Sequence, residues 1–77
     1  MLNTSQIQEH MEVVGADGVH VGTVDRLEGA DTIKLTKSDP ASDGKHRFVP
    51  VDWVDHVDTH VHLKKDSDEL QAYWKKH

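Results

Sequence analysis

The run Asp17-Gly18-Val19-His20-Val21-Gly22-Thr23-Val24-Asp25-Arg26-Leu27 constrains the fold more than any other part of the chain. Asp17-Gly18 is a turn signal, and β-forming residues follow it. Val21 and Val24 stand three apart, whereas the side chains on one face of a strand recur every second residue. Both can be buried only if the strand slips phase, and Gly22 supplies a place for a bulge to make that slip. A strand that slips also bends, so a small, strongly curved sheet is expected.

Length limits what such a sheet can enclose. A chain of 77 residues makes a single domain, 1–77, and folding at this size buries only roughly 60% of the surface the unfolded chain exposes. Hydrophobic residues are 35% of the sequence and aromatic ones 5%, so the core must be thin and built from Val, Leu and Ile. A reaction chamber would consume that core, and the expectation is a non-enzymatic protein. The chain has no cysteine, which excludes disulfides and thiolate metal sites and fits a reducing, cytoplasmic setting. Its start, Met1-Leu2-Asn3-Thr4-Ser5-Gln6, has neither a basic nor an apolar signal region, and no stretch approaches the roughly 20 apolar residues of a membrane span. A soluble, unprocessed protein is expected. The formal charge of −5 with scattered basic residues argues against nucleic acid as a partner.

Along the chain, Thr4 to Ile7 reads as a lead-in, with Leu2 and Ile7 available to plug one end of a barrel spanning about residues 7–64. His10 to Val14 is the first strand, with Met11 and Val13 inward, and Val19 to Glu28 is the bent second. Thr32 to Thr36 alternates cleanly, burying Ile33 and Leu35. Lys37 to Lys45 is polar and rich in turn formers and reads as a surface loop. His46 to Val49 is a fourth strand stopped by Pro50, and Val51-Asp52-Trp53 turns the corner. Val54 to Val57 and Val61 to Lys64 then form a hairpin around Asp58-Thr59-His60. Pairing Val57 with Val61 places both inside and sets His56 opposite His62 on the outer face.

From about 66 to 75 the pattern is a short helix, capped by Asp66 with Glu69 three residues on, and carrying Leu70, Tyr73 and Trp74 as one stripe. Helices this short seldom persist alone in water. The stripe must therefore dock on its own sheet or on a second subunit, and Leu70, Tyr73 and Trp74 are the candidate interface residues of a homodimer or of a complex with another protein. Phe48 and Trp53 are expected in the core.

Four segments in order, the glycine-bent second strand, Ile33-Lys34-Leu35, Phe48-Val49-Pro50-Val51-Asp52-Trp53-Val54 and Val61-His62-Leu63, resemble the PRC-barrel superfamily. Closer still, the chain is similar to a bacterial family of small stand-alone proteins classed as a domain of unknown function. The resemblance runs from about Ile7 to Leu63. It implies a mainly β fold, an antiparallel barrel of about five to six strands used as a docking module. Better-known members of the superfamily are the cytoplasmic domain of the photosynthetic reaction-centre H subunit and the C-terminal domain of a ribosome maturation factor; neither is an enzyme. The resemblance carries over no catalytic or cofactor-binding residue.

The sharpest chemical feature is the set of seven histidines. His56, His60 and His62, with Asp58, are candidate ligands for Zn²⁺ or Ni²⁺, because imidazoles on neighbouring strands plus a carboxylate make a borderline N/O site. Metal binding is thus the alternative to a pure docking role. His20 and His46 are assigned structural hydrogen bonds, and Asp52 and Asp55 turn and surface duty.

Overall fold

The computed structural model describes residues 6–39 and 44–76. Leu2 and the centre of the Lys37 to Lys45 loop lie outside them. The chain runs through β1 (Glu12–Val14), β2 (His20–Glu28), β3 (Thr32–Leu35), β4 (Arg47–Pro50), a 3-10 turn (Val51–Trp53), β5 (Val54–Val57), β6 (Val61–Leu63) and α1 (Ser67–Lys76). β1 starts two residues later than expected because His10 sits at φ 69, a left-handed conformation that a strand does not accommodate.

The six strands among the described residues belong to one sheet in the order β4-β3-β2-β1-β6-β5. The long β2 is shared, pairing with β1 through its first half and with β3 through its second. Between them the register slips twice. Val13 and Val14 face Gly22 and His20, which leaves Val21 as an extra residue; Val24 and Arg26 face Leu35 and Lys34, which leaves Asp25. The first slip lets Val21, at 2% exposure, join Val24, at 1%, in the core. Gly22 contributes differently from a bulge residue. A Cβ there would meet Leu35 Cδ1 at 2.8 Å, so the missing side chain is what allows Leu35 to cross the bend.

The curled sheet wraps one core of Val13, Val21, Val24, Ile33, Leu35, Val49, Val54, Val61 and Leu63, joined by Ile7, Leu70 and Trp74. Mainly β structure with a short C-terminal helix is as expected. Two particulars of the expected barrel differ. β1 and β6 pair in parallel, so the sheet is mixed, and β4 and β5 remain edges, so the ladder does not close. The open ladder has two causes, one local and one from the far end of the chain. Only the three-residue turn Val51–Trp53 separates β4 from β5, and it sends them round a corner instead of side by side. The free side of β4 is also occupied, since Trp74 Nε1–H donates to the Phe48 carbonyl oxygen at 3.2 Å. Pro50 ends this strand opposite Thr32 and is tolerated because β4 is an edge.

The helix stripe docks on its own sheet. Leu70 is fully buried and Trp74 is 5% exposed, while the half-buried Tyr73 meets Trp53 edge-on at 4.8 Å between centroids. Trp53 is accordingly half-buried, with Lys65 over its ring, and Phe48 is 44% exposed instead of lying in the core. At the helix start, Glu69 N–H donates to Asp66 Oδ1 at 2.9 Å and Asp66 N–H reaches Glu69 Oε1 at 3.5 Å, the reciprocal pair expected from the sequence. Asp17 adds a long-range tie, accepting from Ser67 Oγ at 2.8 Å; that hydroxyl is the main reason its carboxyl stays below the ordinary range.

Candidate metal centre

The β5–β6 hairpin builds this centre from the register of its valines. Val57 pairs with Val61 and His56 with His62, so the two imidazoles project from neighbouring strands on the outer face. Their rings stack at 4.2 Å between centroids, 9° from parallel. Both Nε2 atoms approach the same carboxylate: His62 Nε2–H donates to Asp58 Oδ1 at 2.9 Å, and His56 Nε2 lies 3.9 Å from Asp58 Oδ2. One ligand atom from each of His56, Asp58 and His62 lies within 4.8 Å of the other two. Among the described residues no other three metal-capable groups converge in this way. Around a tetrahedral ion with bonds of about 2.0–2.1 Å, ligand atoms sit about 3.3–3.5 Å apart, so side-chain adjustment of about an ångström closes the set.

Two further contacts prepare these side chains. His56 Nδ1–H donates to Asp55 Oδ2 at 2.9 Å, which leaves Nε2 as the lone-pair nitrogen turned toward Asp58. Asp58 is held below the ordinary carboxylate range, first by the backbone N–H of His60 donating to Oδ1 at 2.8 Å and then by His62. It therefore presents a charged carboxylate to the two imidazoles. The proton between His62 Nε2 and Asp58 holds the place a cation would take, and a metal entering there must displace it.

His60, expected as a possible fourth ligand, turns away. Its Nε2–H donates to Glu12 Oε1 at 2.7 Å, its Nδ1 accepts from the Thr59 hydroxyl at 2.8 Å, and its ring stands 6.1 Å from His62 and edge-on. It belongs to a second cluster that sequence reasoning did not assemble. Glu12 Oε2 accepts from His20 Nδ1–H at 2.7 Å, and Asp39 Oδ2 accepts from His20 Nε2–H at 2.8 Å and from the Thr23 hydroxyl at 2.5 Å. With a carboxylate on each nitrogen, His20 is satisfied only as the doubly protonated imidazolium. Burial is the largest single influence on His20 and opposes its charge, but the hydrogen bonds and charges of Glu12 and Asp39 together raise its pKa above the ordinary value. Glu12 is lowered in turn, chiefly by the His20 hydrogen bond. The structural role assigned to His20 fits this clasp, and His46 likewise bonds within the fold, to the Leu35 carbonyl at 3.2 Å.

Asp55, assigned surface duty from the sequence, was missed as the partner of His56, and the signal for it was its place next to a candidate ligand. The meeting of Glu12 with His60 depends on the parallel β1–β6 pairing of the two ends of the chain, for which the sequence carries no local signal.

The fold and site define a small mixed-β protein that carries a histidine–carboxylate centre on the exposed face of one hairpin. The chain belongs to the family described as "Uncharacterized protein conserved in bacteria (DUF2171)", which matches residues 7–71. Comparison with curated proteins finds no match. No helix among the described residues is long and apolar enough to cross a membrane.

Proposed function

We propose that this protein is a non-enzymatic, cytoplasmic binding module that takes up a divalent transition-metal ion, Zn²⁺ or Ni²⁺, through His56, Asp58 and His62. The observation that carries this reading is the convergence of three ligand atoms within 4.8 Å, with Asp55 orienting one imidazole from behind. Two neutral imidazole nitrogens and a carboxylate oxygen suit borderline cations, and three protein ligands leave a position open for exchange. The side chains of His56 and Asp58 are each 55% exposed, which favours reversible uptake over a sealed structural site.

The curled six-strand sheet around one core supports placing the chain near the PRC-barrel superfamily, as a form whose ladder stays open. A docking role, to a second copy or another protein, accords with that placement. Leu70 and Trp74 are spent on the protein's own core, so such a partner would meet the sheet edges or the exposed Phe48.

Calorimetric titration of Zn²⁺ and Ni²⁺ into the native protein and into the His56→Ala/His62→Ala double variant tests the metal reading. Saturable binding near one ion per chain, lost in the double variant, is expected. Weak heats unchanged by the substitutions would refute it.

A further inference from the structure

His56 and His62 do more than face Asp58: both also form one wall of an open cleft of about 380 Å³, whose other lining residues are Gly15, Ala16, Gly18, Asp55, Leu63 and Lys64. Backbone contacts join the two segments beside the cleft. Ala16 N–H donates to the Lys65 carbonyl at 2.9 Å, tying the β1–β2 turn to the segment that leads into α1. Gly15 lies so close to that segment that a Cβ would meet the Ser67 backbone nitrogen at 3.0 Å and Asp17 Oδ1 at 2.8 Å. A floor of glycine and alanine leaves space directly beside the two imidazoles, on the scale of small-molecule sites.

The charges around this space depend on the metal. Asp55 and Lys64 line the cleft and offset each other, and Asp58, which meets the two lining imidazoles at their Nε2 atoms, adds a negative charge beside it, so without a metal the surroundings are net negative and repel anions. A bound divalent cation reverses that sign, and its unfilled coordination position accepts an oxygen donor. The geometry points to a metal-dependent site for a small oxyanion, a carboxylate or phosphate group, that completes the coordination of the ion held by His56, Asp58 and His62 and lies in the cleft against Lys64. This rests on the metal reading above and adds the chemical class of what the metal recruits.

Cobalt(II) reports both steps, because its visible absorption responds first to the protein ligands and then to an exchangeable one. The intact protein is titrated with Co²⁺, and the loaded protein is then titrated separately with acetate and with methyl phosphate. A saturable spectral change with either anion, absent from the metal-free protein by calorimetry, is expected, and the tighter of the two identifies the group preferred. Lys64→Ala should weaken that anion roughly threefold and leave Co²⁺ affinity unchanged. If Co²⁺ binds but its spectrum ignores both anions, or if the metal-free protein binds them equally well, the oxyanion site is refuted while the metal centre stands. If Co²⁺ itself does not bind, the metal reading fails and this inference fails with it.

Discussion

The two histidine clusters of the outer face use the same chemical groups to opposite ends. Around His20 every ring nitrogen has its own partner: Glu12 and Asp39 each take one N–H, and Glu12 reaches on to His60, whose other nitrogen bonds Thr59. That cluster is closed, and its chemistry is the joining of β1, β2, the Asp39 segment and the β5–β6 turn. Around Asp58 two imidazoles instead present their Nε2 atoms to one carboxylate, and only His56 has its far nitrogen held by another acid. Where each ring nitrogen has a close hydrogen-bond partner of its own, at 2.7–2.8 Å, the cluster is a clasp; where two Nε2 atoms converge on Asp58 and one of them stays 3.9 Å away, it is a ligand set. Histidine and aspartate frequency in the sequence does not distinguish the two cases, whereas strand register does.

The largest effect lies in the packing beneath both clusters. Trp74→Ala removes a buried aromatic and leaves the Phe48 carbonyl open, and should cost about 3 kcal/mol in chemical denaturation. Both clusters stand on the sheet this residue seals, so they should weaken together. Unchanged stability would mean that α1 is not part of the core.

Next in size is the loss of a ligand. His62→Ala should lower Zn²⁺ affinity at least about 100-fold by calorimetry, whereas His60→Ala should stay within about twofold. Equal losses would merge the two clusters into one.

Asp55→Asn sharpens the contrast, because it leaves all three ligands in place and changes only what holds His56. Metal affinity should fall about tenfold with the melting temperature unchanged, and no fall would remove Asp55 from the centre.

The smallest effect belongs to the clasp. His20→Ala removes the imidazolium that bridges Glu12 and the Asp39 side chain, the latter only 7% exposed, and should cost about 1 kcal/mol of stability without altering metal affinity. Its pH signature has a definite sign. His20 has a raised pKa, so its contribution is fully present below the unfolded value of 6.5 and is lost as pH climbs from there through the folded value. Glu12 has a lowered pKa, so its share is present above the unfolded value of 4.5 and disappears as pH falls through the folded one. Native protein should therefore lose stability above about pH 6.5 relative to His20→Ala, as read by thermal melts across pH. Parallel curves would show that the clasp carries no net charge coupling.

What could be read in advance follows the range of the interactions. The Val57–Val61 pairing, and with it the meeting of His56 and His62, came from alternation within one hairpin. The Asp66–Glu69 cap and the Leu70 and Trp74 stripe came from spacing within one helix. The phase slip came from Val21 and Val24, although Val21 turned out to be the extra residue and Gly22 the site of close approach. The diversion of His60 to Glu12 was hidden because it needs the parallel contact of β1 with β6. The open ladder was hidden for a related reason, since a tryptophan from the far end of the chain takes the β4 carbonyl that closure would have used. Phe48 was misplaced because an edge strand can leave an aromatic side chain outside while its backbone completes the fold.

The most direct measurement is a Zn²⁺ titration followed by the imidazole proton resonances of individual histidines. Saturating shifts confined to His56 and His62, with His20 and His60 unmoved, are what a ligand set beside a closed clasp predicts. Shifts spread evenly over all four rings, or none at all with excess metal, would contradict the division on which the account rests.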